Sequence, residues 1–141
     1  MKNLIKIKYI FLVFLMILFS CDKEYDFQSD NKVAVNTLES SEITKNTAKI
    51  KAVINTNNGS SLTERGICYS LSTNPTIANG KFIDNNFYSD LGEFTITVTN
   101  LSAGTKYYAK AYATNSYGTA YGEEVTFTTL PATPAIVTTN S

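Results

Sequence analysis

Residues 101–122, LSAGTKYYAKAYATNSYGTAYG, constrain the fold more than any other stretch. A turn through Ser102, Ala103, Gly104 and Thr105 leads into a run in which small and large residues alternate strictly. Successive strand residues point to opposite faces. Tyr107, Ala109, Ala111 and Ala113 therefore share one face, and Tyr108, Lys110, Tyr112 and Thr114 share the other. The pattern predicts a strand reached through a tight corner, with the Tyr107 face buried and the Tyr108 face in water.

The same two-residue period recurs along the chain. Residues 33–37 form a first short strand. Residues 47–55 form a second, with Ala48, Ile50, Ala52 and Ile54 on one face and Lys49 and Lys51 on the other. Residues 62–71 make a third, and Gly66 inside it signals a bulge or a close backbone approach. Residues 93–100 turn Phe94, Ile96 and Val98 inward, and residues 120–129 do the same with Val125 and Phe127. A polar connection at 39–46 and the turn Asn57-Asn58-Gly59-Ser60 separate the early strands. From 72 to 92 the pattern weakens under Asn74-Pro75, Asn79-Gly80 and Asn85-Asn86, which predicts long loops and one edge strand. About seven short strands without a helical period make an all-β, two-sheet antiparallel sandwich of the immunoglobulin-like kind. Such a unit, at roughly 100 residues, buries a core without metal or disulfide help.

The N-terminus reads differently. Lys2, Lys6 and Lys8 precede an unbroken apolar run at 9–19, the layout of a secretory signal. The alternative, a transmembrane helix, needs about 20 apolar residues. Leu18-Phe19-Ser20-Cys21 resembles the lipobox of bacterial lipoproteins, with Phe19 departing from the small or β-branched residue usual there. The resemblance implies removal of residues 1–20 and acylation of Cys21, with palmitate-like chains that make a membrane the partner and place the protein at the outer membrane or cell surface. Several chains, at about 0.8 kcal/mol per buried CH₂, hold a protein where one would not. Residues 22–32, DKEYDFQSDNK, read as a flexible tether spanning at most about 40 Å. Its acidic residues resemble surface-export signals of Bacteroidetes lipoproteins, beside the plainer reading of a solvated linker.

Several separated motifs carry a second resemblance. Glu64-Arg65-Gly66-Ile67-Cys68-Tyr69-Ser70, Asn74-Pro75-Thr76, the stretch 101–108, Ala111-Tyr112-Ala113-Thr114-Asn115, Gly118-Thr119-Ala120-Tyr121-Gly122 and Phe127-Thr128-Thr129 are similar to the fibronectin type III-like repeats of Bacteroidetes surface lipoproteins. The match covers residues 33–130. Leu101, Gly104 and Tyr107 resemble the tyrosine corner of these sandwiches, which implies that the phenol hydroxyl bonds backbone a few residues upstream.

Removing the signal leaves nine of the 12 basic residues against 12 acidic ones. That balance disfavours nucleic acid, which needs a concentrated basic face. The chain has no His, so the commonest general base and zinc ligand are missing. Cys68 has no base to activate it and reads as a packed strand residue. Asp84, Asp90 and Glu93 lie near the irregular stretch, but their spacing matches no calcium loop, so no metal or cofactor is assigned. Arg65 is expected to pair with a carboxylate across the sheet for about 0.2–1 kcal/mol. Asn58-Gly59-Ser60 matches a glycosylation sequon, which a bacterial signal makes idle.

The aromatic loops are the candidate ligand site. In this topology the loops at 55–61 and 115–122 emerge at one pole, bringing Tyr117 and Tyr121 near Asn57 and Asn58. Flat tyrosine rings flanked by amides suit sugar rings or protein partners. The alternative is that Tyr121 folds back onto the sheet and Tyr117 caps a turn. Residues 131–141 contain Pro131 and Pro134 and read as a tail or a truncated linker to a further repeat, since Val137-Thr138-Thr139 echoes Val35-Asn36-Thr37 about one sandwich length on. The leading expectation is a non-enzymatic, lipid-anchored surface protein whose sandwich is a spacer or adhesion module for protein or glycan. The alternative is a glycan-binding accessory lipoprotein of a polysaccharide-uptake system, distinguished by joint exposure of Tyr117 and Tyr121.

Overall fold

The computed structural model describes residues 31–85 and 91–134. Cys21, Asp90 and the segments 1–30 and 135–141 lie outside the described residues. Eight strands are present among those described: β1 Ala34–Ser41, β2 Ala48–Thr56, β3 Glu64–Ser70, β4 Gly80–Ile83, β5 Gly92–Val98, β6 Lys106–Asn115, β7 Gly118–Tyr121 and β8 Val125–Thr128. They form two antiparallel sheets, β1-β2-β5 and β4-β3-β6-β7, with β8 also pairing β6.

The inward alternation follows the sequence pattern. Ala48, Ile50, Ala52 and Ile54 of β2 are buried, as are Phe94, Ile96 and Val98 of β5. They face Ile67 of β3 and the column Tyr107, Ala109, Ala111 and Ala113 of β6. Bulky residues on one sheet meet small ones on the other, which lets the two layers interdigitate. Rings close one end of the core: Tyr107 stacks on Phe127 at 5.7 Å between centroids, and Tyr69 contacts both Tyr107 at 6.1 Å and Phe82 at 5.7 Å.

Three expectations need correction. β1 runs on to Ser41 rather than ending at Thr37, with Leu38 outward in the regular alternation and a register shift between Thr37 and Glu39 that breaks the alternation beyond it. Residues 120–129 are two strands. The break comes at Gly122, whose N–H bonds the Ala111 carbonyl at 2.9 Å while the Ala111 N–H turns to Thr37 Oγ1 at 2.8 Å on the other sheet. Only a glycine fits at 122, because a Cβ would stand 2.5 Å from the Thr37 nitrogen. Third, the Tyr108 face of β6 is not uniformly wet. Tyr112 on that face is fully buried.

The corner before β6 has the expected hydroxyl-to-backbone contact, with Ser102 N–H donating to Tyr107 Oη at 3.0 Å. Gly104 takes φ 62°, the left-handed conformation that favours glycine, and its N–H bonds the Leu130 carbonyl at 2.9 Å. Thr129 completes the turn: its hydroxyl donates to the Ser102 carbonyl at 2.6 Å and accepts from Thr105 N–H at 2.9 Å. Replacing Tyr107 with Phe keeps the ring stack but strips the Ser102 N–H of its acceptor. The expected cost is about 1 kcal/mol, the lower part of the range for an unsatisfied group, because Ser102 is exposed to water. Tyr108→Phe, on the opposite face, should cost much less. Equal shifts in urea melts would contradict this assignment of faces.

Candidate functional site

The outer face of the larger sheet carries a small second core. Gly66 on β3 is paired with Tyr112 on β6, and the phenol ring lies over it: a Cβ at 66 would stand 2.8 Å from Tyr112 Cε1 and Oη. An aromatic cross-strand partner shielding a glycine is a known way of sealing a sheet at its weakest point. Tyr112 Oη donates to Glu64 Oε1 at 2.7 Å, and Lys81 Nζ donates to the same oxygen at 2.8 Å. Beside them the 71–79 loop folds down over Cys68. Pro75 is fully buried, and the thiol points at the carbonyls of Pro75 (3.5 Å) and Lys110 (3.4 Å). Lys110 Nζ holds Asn74 Oδ1 at 3.0 Å, Glu124 accepts from Asn74 N–H at 2.5 Å, and Tyr121 Oη accepts from Ile77 N–H at 3.3 Å.

This arrangement fixes the chemistry of three groups. Burial pushes the Cys68 thiol up to about 11, so it stays protonated and inert near neutral pH. Burial, then the bond to Glu64, raises the Tyr112 phenol. The hydrogen bond from Lys81, then that from Tyr112, holds the Glu64 carboxyl below its ordinary value of 4.5. A carboxyl depressed in the folded state contributes stability above its unfolded pKa, and that contribution is lost as pH falls through the lower folded value. Urea midpoints should therefore drop on acidification below about pH 4.5, and Glu64→Gln should flatten that slope. An unchanged slope in the Gln variant would show that Glu64 is not the group responsible.

The sequence-predicted ligand residues are only partly brought together. Ser60 and Ser116 hydroxyls meet at 3.0 Å, so the 57–63 loop and the β6–β7 turn do share one pole. Tyr117 stands there, 57% exposed. Its N–H donates to Asn115 Oδ1 at 2.9 Å, the turn-capping geometry of the alternative. Asn57 Oδ1 accepts from Gly59 N–H at 3.1 Å. Asn58 Nδ2 donates to the Lys32 carbonyl at 2.6 Å, and Asn115 Nδ2 to the Asn31 carbonyl at 2.9 Å. Both amides thus clasp the incoming chain. Tyr121 turns its hydroxyl to the 71–79 loop instead of joining Tyr117.

Arg65 pairs with a carboxylate across the sheet as expected, but inside the fold. Its guanidinium is buried between the sheets, donating from Nε and from Nη2 to Asp84 Oδ2, each at 2.9 Å, with its carbon 4.6 Å from the Phe94 ring centroid. Asp84 N–H in turn donates to the Arg65 carbonyl at 2.9 Å. The pair pins the start of the β4–β5 connection, where the chain leaves one sheet for the other. Glu93 instead meets Lys51 at 2.9 Å, so the two described acids of the suggested calcium set serve different partners. Among the described residues no group of three or more His, Cys, Asp or Glu is placed to hold a metal ion, and no helix is long and apolar enough to cross a membrane.

Comparison with solved structures agrees with this geometry. A sensor domain of the anti-sigma factor RsgI4 in Pseudobacteroides cellulosolvens is similar with TM-score 0.51 and 20% identity, covering 77% of this chain and 99% of that one. The fibronectin type-III domain of human fibronectin type III domain containing protein 3 gives TM-score 0.50 and 20% identity over 74% and 91% of the two chains. A fourth FNIII domain of human origin gives 0.52 and 14% over 74% and 83%. No family profile and no curated protein matches the chain. At these identities the likeness defines a fold, and it is the all-β sandwich of the fibronectin type III kind.

Proposed function

We propose that this chain is a non-enzymatic, lipid-anchored surface protein of the Bacteroidetes type, held by acyl chains on Cys21, whose sandwich acts as a spacer or adhesion module. The observation that carries the spacer role is the internal use of the candidate ligand groups. Asn57 closes its own turn, Asn58 holds the Lys32 carbonyl, and Tyr121 holds the 71–79 loop. Groups already bonded within the fold must break those bonds before they recognise a sugar. The glycan-uptake reading asks for Tyr117 and Tyr121 side by side, which favours it less.

Two experiments test the proposal. Growth with a labelled fatty acid should mark the wild-type protein, and Cys21→Ser should lose both label and membrane retention. Absence of label on the wild type would sink the anchor. A glycan array probed with residues 22–141 should stay blank. Retention on one glycan class that Tyr117→Ala abolishes would instead establish the accessory-lipoprotein reading.

A further inference from the structure

We propose that the end of the sandwich built from the 57–63 loop and the β6–β7 turn is a lipid-contacting face, with Tyr117 and Lys32 meeting a bilayer surface. The proposal rests on the reading that Cys21 is acylated, and it adds an orientation that acylation alone does not require.

The first support is where the chain enters. The side-chain amides of Asn115 and Asn58 hold the carbonyls of Asn31 and Lys32 at 2.9 and 2.6 Å, so the lead-in to β1 is fastened to this end of the domain. Nine residues lie between Cys21 and Asn31, a reach of at most about 35 Å. β6, with 10 residues, spans about 33 Å from pole to pole at strand rise. The far pole, at the 102–105 turn, therefore touches the anchoring membrane only if the connecting chain is drawn out along nearly the whole domain. Every shorter path brings the near pole to the lipid or lays the domain on its side.

The second support is the chemistry at that pole. Tyr117 is 57% exposed at the tip of the turn, and tyrosine suits the headgroup level, where its ring is half apolar and its hydroxyl stays wet. Lys32 is exposed, and its side chain passes 3.8 Å from where a Cβ would stand on Gly118, which places its methylene stem beside the turn. A lysine so placed rests its stem on the protein and offers its ammonium to lipid phosphates. Neither 55–63 nor 115–119 contains an Asp or Glu, so these two loops carry no charge that would repel an anionic surface. Leu91, 48% exposed, lies at the same end, one residue before the Gly92–Ile54 pair.

The test uses the full chain, produced in a bacterial host that acylates it and placed in phosphatidylethanolamine and phosphatidylglycerol vesicles bearing nitroxide headgroups. Single fluorophores are attached through Ser116→Cys or Ser61→Cys at the near pole and through Ala103→Cys at the far one. Cys68, fully buried, does not compete for the label, and melts of each labelled protein check that it folds. The near-pole labels should lose fluorescence while the label at 103 keeps it, and Tyr117→Ser with Lys32→Ser should reduce the near-pole loss. Equal quenching at both poles of vesicle-bound protein overturns the lipid-contacting face and leaves the anchor standing. Protein that fails to float with the vesicles overturns both.

Discussion

Arg65→Ala should destabilise the domain by about 3–5 kcal/mol, the cost of breaking a buried ion pair from one side. Three losses coincide there. The Asp84 carboxylate, whose side chain is only 16% exposed, forfeits both guanidinium contacts. The Phe94 ring forfeits the cation lying 4.6 Å from its centroid. A long side chain's volume disappears from between the sheets. Against a typical total of about 5–15 kcal/mol, that is enough to leave a substantial unfolded fraction at modest urea concentrations. The companion variant decides the cause: Arg65→Met with Asp84→Leu removes both charges while keeping bulk, and should recover most of the loss. A double variant no better than Arg65→Ala would mean that packing of the guanidinium, not charge pairing, holds this side of the sandwich.

Gly66→Ala should cost about 3 kcal/mol, the upper end for overpacking. The added methyl collides with the Phe82 carbonyl of β4 and stands 2.8 Å from the Tyr112 ring. A side chain can rotate out of the way, but a backbone carbonyl in a paired strand cannot, so the β3–β4 ladder must open. Gly59→Ala is the control: nothing lies within 4 Å of its Cβ position, although its φ of 77° carries conformational strain of its own. Native-state hydrogen exchange in Gly66→Ala should show protection lost first across Gly80–Ile83. Unchanged protection there would contradict the close approach.

The inward faces of β2, β5 and β6 were legible because their alternation is local and unbroken, and Tyr107 because Leu101, the glycine turn and the tyrosine stand within a few residues. What escaped depended on distant partners. Tyr112 reads as an outward residue until the Glu64–Lys81 pair closes over its face. A carboxylate partner for Arg65 was expected, but that it is Asp84, 19 residues on, and that the pair lies inside the fold was not legible. The hydroxyl bond at the corner was legible, and the alternation that turns Val125 and Phe127 inward puts Thr129 on the same face, but nothing in the sequence says that its hydroxyl ties the turn at Ser102 and Thr105. Of the candidate ligand site, the shared pole of two loops followed from topology, whereas the diversion of Tyr121 depends on a hydrogen bond to Ile77 that no local pattern encodes.

The mass of the N-terminal peptide of the protein isolated from membranes tests the functional account most directly. The account predicts that this peptide begins at Cys21 and carries a diacylglyceryl thioether with a further acyl chain on its amine. A peptide beginning at Met1, or one beginning at Cys21 with a free thiol, would contradict it.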